Sequence, residues 1–205
     1  ALIETFLERI VHPARTHFQL FFGDAWHSLL DHVSYGHDIE GSWLLVEATE
    51  LHDDEDLFSR VCATSVQMAE AVYQRGIDAD GSLFYEAGPR GVVDDQKSWW
   101  VQAEAMVGFT NAYQLSRKAH LLQAAVRSWA YIQAHHVDRT HGGWYKVLHR
   151  DGTPDLASYK VGPWECPYHH SRACFEMMDR LANIEAEAQD MDRLEGRSQV
   201  EDVTG

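Results

Sequence analysis

Apolar residues recur every three or four positions over several long stretches of this chain, which is the spacing of one face of an α-helix. In the stretch 38–51, for example, Ile39, Trp43, Leu44 and Ala48 form such a stripe. The pattern predicts helices over residues 2–11, 38–51, 53–75, 96–117, 119–135 and 164–184. The chain is therefore predicted to be all-α.

Shorter segments between these helices combine glycine with aromatic or alternating apolar residues. They predict a short strand over residues 17–22 and small β-hairpins at 80–86 and 142–152. After residue 184 the sequence is acidic and polar, with few large apolar side chains. We therefore expect one helical domain over residues 1–183 and a disordered tail over residues 184–205.

A repeat organises the helices. Segments that mix polar and aromatic residues begin helices near positions 37, 97 and 169, a period of about 60–70 residues for each helix pair. Stacked helical hairpins of this kind form an α/α toroid, with the starts of the inner helices at a shared cavity. Three hairpins are half of a six-hairpin ring of the (α/α)6-barrel type.

Charge and composition narrow the function classes. The chain has 17 Lys and Arg against 32 Asp and Glu, a formal charge of −15, which argues against nucleic-acid binding because phosphates attract clustered cations. No run of 18 apolar residues is present, so no membrane span is predicted. Three cysteines without a secretion signal favour the cytoplasm. Several aromatic residues lie beside Gly, His or Glu, which suits carbohydrate rings, although an aromatic-rich core is the alternative.

Each of the three repeated segments places polar groups on one helical face. The pairs are His37 with Glu40, Trp100 with Glu104, and His169 with Arg172. Two histidines facing one cavity could act as acid and base, since imidazole takes and gives protons near neutrality. A carboxylate could orient a histidine, and the arginine could stabilise a developing negative charge. Taken singly, His37 also fits a capping or core histidine, and Glu104 fits a buried salt bridge.

Metal binding is the main chemical alternative. Cys166, His169, His170 and Cys174 are close enough in sequence to suggest zinc, but their spacing matches no CxxC pair or HExxH motif. A cysteine nucleophile would have no partner that the sequence identifies. We therefore predict a site without a metal or cofactor.

The three segments resemble motifs of the cellobiose 2-epimerases in the N-acylglucosamine 2-epimerase superfamily. The matching stretches are YGHDIE at 35–40 with SWLL at 42–45, WWVQAEA at 99–105, and WECPYHHSR at 164–172. That family often has Pro at the position of Val101. Its last motif, WKCPYHNxR, has Lys and Asn where this chain has Glu165 and His170. The likeness covers residues 1–183 in order.

The resemblance implies an (α/α)6 barrel and metal-free inversion at C2 of a reducing-end sugar, which would convert cellobiose to glucosyl-mannose. In that family the histidines corresponding to His37 and His169 are the acid/base pair, working through an enediolate. By similarity, the sugar site would include Glu40, Trp43, Trp99, Trp100, Glu104, Trp164 and Arg172. Trp164 would stack on the second sugar unit of a disaccharide.

The chain departs from that family in length, because those enzymes have about twice as many residues. Their first half supplies an arginine, a tyrosine and a further histidine to the same cavity. This chain opens at Ala1 directly in a helical pattern, so we expect an upstream part. We also expect an exposed apolar seam that could support self-association, and little or no epimerase activity from this chain alone.

Four other functions remain open from the sequence. They are aldose–ketose isomerisation of a monosaccharide, N-acylglucosamine 2-epimerisation, sugar binding without catalysis, and glycoside hydrolysis. A glycosidase would need two opposed carboxylates, for which Glu40 and Glu104 are the candidates, and the histidines would then have no role.

Overall fold

The computed structural model describes residues 1–14 and 16–204, with side chains except at 192 and 194–204. Within these residues the α-helices are α1 (Leu2–Thr5), α2 (Tyr35–Glu50), α3 (Glu55–Arg75), α4 (Trp99–Ser116), α5 (Ala119–Tyr131) and α6 (Tyr168–Thr204). The π-helical segments Phe6–Ile10 and Ile132–His136 extend α1 and α5.

Short antiparallel strands lie in the loops between the helices. They are β1 (Val33–Ser34), β2 (Glu86–Gly88), β3 (Gly91–Asp94), β4 (Lys97–Ser98) and β5 (Val147–Leu148). One sheet has the order β1-β2-β3, and β4 pairs with β5. Val33 lies opposite Ala87, and Lys97 lies opposite Leu148. Because β1 and β4 run directly into α2 and α4, these strand pairs fix where the two helices begin.

The helices form two layers. Helices α2, α4 and α6 make the inner layer, in which α4 packs against both neighbours. Helix α4 is buried continuously over residues 99–112, so this part of it has no solvent-exposed face. Helices α3 and α5 pack on the outside and are amphipathic. This is the arrangement of helical hairpins that the repeat predicts, and the described residues do not close into a ring.

Acidic residues mark the start of α3, which begins at Glu55, two residues after the predicted position. Asp54 precedes the helix, and its Oδ1 accepts a hydrogen bond from the backbone N–H of Leu57 at 2.9 Å. Glu55 and Asp56 occupy the first turn, where the helix dipole favours carboxylates. Asp54 therefore caps the helix, and the two carboxylates after it favour its first turn.

Four helix starts differ from the prediction by two to four residues, and α3 and α4 begin at Glu55 and Trp99 rather than at positions 53 and 96. Helix α2 begins at Tyr35 rather than at position 38, because Ser34 ends β1 and the helix follows at once. Helix α6 begins at Tyr168 rather than Trp164, since Pro167 disfavours a helical conformation in the residue before it. Trp164 therefore lies in the loop that precedes α6.

The predicted strands differ more than the helices. Residues 17–22 contribute two isolated bridges, of Phe18 with Val11 and of Phe22 with Ser28, and residues 80–86 contribute the bridge of Leu83 with Ile77 and the first residue of β2. The hairpin at this point is formed by β2 and β3, directly after the predicted one. Pairings this short depend on the position of the partner strand, which local alternation does not encode.

Helix α6 continues to Thr204, where the sequence predicts a disordered tail from residue 184. Residues 184–204 contain no proline and are rich in Glu, Ala, Arg and Gln, which favour helices. Glu187 in this part bonds Arg117, just after α4, at 2.7 Å. The division of the chain at residue 183 stays a prediction.

Exposed apolar side chains lie along α6. Phe175 and Met178 are each 67% exposed, and Leu181 is 48% exposed. They form an apolar seam of the predicted kind, and self-association through it stays a prediction. None of the helices in the described residues combines the length and apolarity that a membrane crossing requires.

Candidate active site

Glu104 on α4 is the centre of a hydrogen-bond network between the inner helices. Its side chain is fully buried. Oε1 accepts from His169 Nδ1 at 2.7 Å, and Oε2 accepts from Trp43 Nε1 at 3.0 Å, so α4 is tied to both α6 and α2. Because an ionised carboxylate can only accept, this bond requires a proton on Nδ1, and in the neutral ring the lone pair is then on Nε2.

Arg172 joins two carboxylates. Its Nη2 donates to Glu40 Oε1 at 2.7 Å and to Glu104 Oε1 at 2.6 Å, and its Nη1 donates to the hydroxyl of Tyr168. Burial acts to lower the pKa of Arg172, but the two carboxylates outweigh it and raise the pKa, so the guanidinium stays charged. These nitrogens already have protein acceptors. Direct binding of a sugar oxygen by Arg172 therefore stays a prediction.

His37 lies in the first turn of α2 and is exposed. Its Nδ1 is 2.7 Å from the hydroxyl oxygen of Ser34, the residue that precedes the helix. The Ser34 side chain makes no capping bond to the backbone. Since a hydroxyl can donate or accept, it can hold either neutral tautomer of the imidazole. His37 is thus an exposed, oriented ring rather than a helix cap or a core residue.

A cavity of about 610 Å³ lies beside these groups. The ring of Trp100 contacts both imidazoles, with centroid distances of 5.0 Å to His37 and 5.4 Å to His169. Trp99 contacts His169 edge-on at 5.6 Å. Trp164 lines the same cavity and is 84% exposed. Aromatic walls with a few polar groups are typical of small-molecule sites.

The predicted site residues fall into two groups. Those that line the cavity are His37, Glu40, Trp99, Trp100, Trp164 and His169. Trp43, Glu104 and Arg172 lie behind this wall and bond to it or to one another. Glu104 forms the buried ion pair that the sequence left open, with Arg172 as its partner. It also bonds His169, a histidine of the cavity, directly. The part that each residue plays in sugar binding stays a prediction.

Several other cavity-lining residues have no functional signal in the sequence. They are Tyr85, Asp94, Gln96, Ser98, Lys146, Val147 and Glu165. Most lie in or beside the short strands, where the sequence predicts hairpins without a role. Asp94, Gln96, Ser98 and Glu165 lie near predicted helix starts, whereas Tyr85, Lys146 and Val147 do not, and only the strand pairing brings all seven to one cavity.

Glu40, Glu104 and His169 present ligand atoms within 4.8 Å of one another, close enough to share a metal ion. Arg172 Nη2 already bonds both carboxylates, so the guanidinium supplies the positive charge there. The arrangement fits an ion-pair network better than a metal centre. Among the described residues, Cys166, His170 and Cys174 of the zinc alternative do not join such a group. The expectation of a metal-free site stays a prediction.

The arrangement of Glu40 and Glu104 is unfavourable for a glycosidase. Both carboxylates accept from the same nitrogen of Arg172. A glycosidase instead places its two carboxylates on either side of the scissile bond, about 5–10 Å apart. The geometry therefore disfavours the hydrolase alternative.

Asp38, next to His37, is buried among protein groups instead of facing the cavity. Its Oδ1 accepts a hydrogen bond from the backbone N–H of Phe18 at 2.7 Å. Burial raises the pKa of Asp38 to about 8, although the bond from Phe18 and the charge of Arg75 act to lower it. The folded chain therefore keeps this carboxyl protonated at a pH where the unfolded chain ionises it.

Asp38→Asn is expected to stabilise the chain at pH 8 and to have little effect at pH 4. From about pH 4 to pH 8 the unfolded wild type releases a proton that the folded form retains. Its free energy of unfolding therefore falls by up to about 1.4 kcal/mol per pH unit relative to the variant. Urea unfolding at pH 4, 6 and 8 measures this difference. The exposed Asp53→Asn is the control, and a difference independent of pH would contradict the raised pKa.

The family model described as N-acylglucosamine 2-epimerase (GlcNAc 2-epimerase) matches residues 1–173. The chain belongs to the N-acylglucosamine 2-epimerase family. A cellobiose 2-epimerase from Bacteroides fragilis is 38% identical over 178 residues, which are 86% of this chain and 45% of that relative. The chain thus spans about half the length of the curated relatives it matches.

Solved structures give the same assignment. A sugar epimerase from a ruminal bacterium matches with a TM-score of 0.83 and 35% identity, over 87% of this chain and 46% of that one. Cellobiose 2-epimerase from Bacillus thermoamylovorans matches with a TM-score of 0.80 and 38% identity, over 87% and 45%. The predicted resemblance and the α/α-barrel class are therefore confirmed.

Proposed function

We propose that this chain carries the acid/base site of a carbohydrate epimerase that inverts C2 of the reducing-end sugar of β-1,4-linked disaccharides. Cellobiose would become glucosyl-mannose. The observation that carries the proposal is that His37 and His169, from different inner helices, line one cavity and contact the same Trp100 ring. Similarity to relatives named cellobiose 2-epimerases supports the choice of substrate.

The proposed reaction begins with the ring-opened aldose, whose C2–H is acidic because it adjoins the C1 aldehyde. Nε2 of one histidine takes this proton, and the electrons of the C–H bond form the C1–C2 double bond of an enediolate. The other histidine, as imidazolium, returns a proton to C2 from the opposite face, and the aldehyde re-forms. The configuration at C2 is inverted, and proton exchange with solvent resets the two histidines.

The surroundings of each histidine suit these roles. The buried carboxylate of Glu104 stabilises the imidazolium that forms when His169 gains a proton. The hydroxyl of Ser34 serves either tautomer of His37, as a group that gives and takes protons requires. Glu40 lines the cavity and can accept a bond from a sugar hydroxyl.

Incubation with cellobiose in D2O tests the proposal. Deuterium at C2 of cellobiose and of glucosyl-mannose, detected by NMR, is the expected result. A ketose product would favour the aldose–ketose isomerase alternative, in which the proton returns to C1. Bound cellobiose without deuterium at C2 would overturn the proposed reaction and leave a sugar-binding protein. Because the chain spans about half the length of its relatives, we expect little net conversion but slow exchange of the C2 proton, which long incubation at high protein concentration detects.

Trp164→Ala is expected to weaken cellobiose binding by about tenfold, or about 1.4 kcal/mol, because a sugar ring loses its stacking surface. Binding of glucose, which occupies one sugar position only, should barely change. Isothermal titration of both sugars measures the difference. Trp26→Ala is the control, since Trp26 is 47% exposed and lies outside the cavity lining. Equal losses for both sugars would contradict a disaccharide site.

A further inference from the structure

The loop that carries Trp164 connects β5 to α6. Near its start Arg150 pairs with Asp78 and Asp95, and two further ion pairs lie closer to Trp164. In the middle of the loop, Lys160 bonds the carboxylate of Asp138 and donates to the carbonyl of Gly142 at 3.2 Å. Near its end, Glu165 bonds the ammonium group of Lys146. Only the second pair lies at the cavity, where Lys146 and Glu165 are both lining residues.

Lys146, one member of the Lys146–Glu165 pair, is held in place by the backbone at the start of α4. Lys146 immediately precedes β5, and its carbonyl accepts a hydrogen bond from the backbone N–H of Trp99 at 2.9 Å, at the start of α4. The side chain of Glu165 is only 7% exposed. The hydrogen bond from Lys146 holds the pKa of the Glu165 carboxyl below its ordinary value, so it stays ionised. The pair therefore fastens the loop to the frame of the inner helices.

The loop backbone is shaped around this carboxylate. A Cβ atom at Gly162 would lie 2.3 Å from Glu165 Oε2, so a larger residue at this position would force the carboxylate to shift. The N–H of Gly162 also bonds the carbonyl of Glu165 at 3.3 Å. Trp164 lies inside this turn. The turn and the ion pair thus act on the same few residues.

The pairing depends on the sign of the two charges, since a lysine in place of Glu165 would repel Lys146. Trp164 itself is 84% exposed, so its own packing contributes little to its position. A stacking residue held in place before the ligand arrives spares the ligand the entropy of ordering it.

We propose that Lys146 and Glu165 are positioning residues that hold Trp164 at the cavity and so set the affinity for the second pyranose of a disaccharide. The identity of that ligand rests on the proposed function. The ion pair acts through Trp164, and the chemistry at C2 is left to other groups.

Hydrogen–deuterium exchange of the backbone amides of residues 162 and 164–166 tests the attachment without any ligand. Glu165→Gln and Lys146→Met should each raise the exchange rate about tenfold or more, and the double variant Lys146→Glu/Glu165→Lys should restore slow exchange. Lys160→Met is the matched control, because it breaks the ion pair with Asp138 and should leave these amides unchanged. Wild-type exchange in Glu165→Gln, or no recovery in the double variant, would overturn the proposal.

Titration with sugars tests the consequence for binding. Glu165→Gln should weaken cellobiose binding about tenfold without changing glucose binding, and the double variant should recover. Unchanged cellobiose affinity in a variant with a loosened loop would overturn the role in specificity. If the wild type binds neither sugar, the proposed function fails and the ligand assignment fails with it, whereas the exchange rates still decide whether the pair holds the loop.

Discussion

His169→Asn is expected to lower the rate of deuterium incorporation at C2 of cellobiose by on the order of 10²–10⁴-fold, the usual contribution of a general acid or base. Asparagine can still donate a hydrogen bond to Glu104, so the buried carboxylate keeps a partner, but it cannot take or return a proton. The loss should therefore lie in the exchange rate, with cellobiose binding changed much less. Mass spectrometry of the sugar after incubation in D2O measures the rate.

His170→Asn is the matched control for this prediction. His170 is the next residue on α6, and its ring stacks on Trp144 at 5.1 Å outside the cavity lining. Asparagine is also the residue that the family motif has at this position. The exchange rate should stay within about threefold of the wild type. Equal losses in the two variants, or wild-type exchange in His169→Asn, would contradict the role of His169.

Glu104→Ala is expected to lower the free energy of unfolding by about 3–5 kcal/mol, because it leaves charged or polar partners buried without their acceptor. The indole N–H of Trp43, the imidazole of His169 and the guanidinium of Arg172 all bond this one carboxylate. Urea unfolding at neutral pH measures the change. The magnitude exceeds that of an ordinary surface substitution, which is about 0.5 kcal/mol or less.

Glu40→Ala is the control for this prediction. It tests whether losing any carboxylate beside Arg172 destabilises the chain as much as losing Glu104 does. The side chain of Glu40 is 16% exposed, and it accepts from the same Arg172 nitrogen as Glu104. Its removal leaves Glu104 to pair with Arg172, so the destabilisation should be clearly smaller. If Glu40→Ala destabilises the chain as much as Glu104→Ala, then Glu104 is not the centre of the network.

The helical architecture could be predicted from the sequence because helix periodicity is local. Residues three or four positions apart share a face whatever the rest of the chain does. The stripe around Ile39 and Trp43 therefore predicts α2. The same local spacing places His37 and His169 on polar helix faces and makes them candidates.

The sequence by itself determined the helices, their layered repeat, the family and the candidate histidines. Only the tertiary structure decided which residues touch one another. Arg172 bonds Glu40 across 132 positions of sequence, and His169 bonds Glu104 across 65. It also placed Trp164 in a loop and brought Lys146 to the cavity through the pairing of β4 with β5. Such contacts depend on how separate helices and strands pack, and helix periodicity encodes only the face that each one buries.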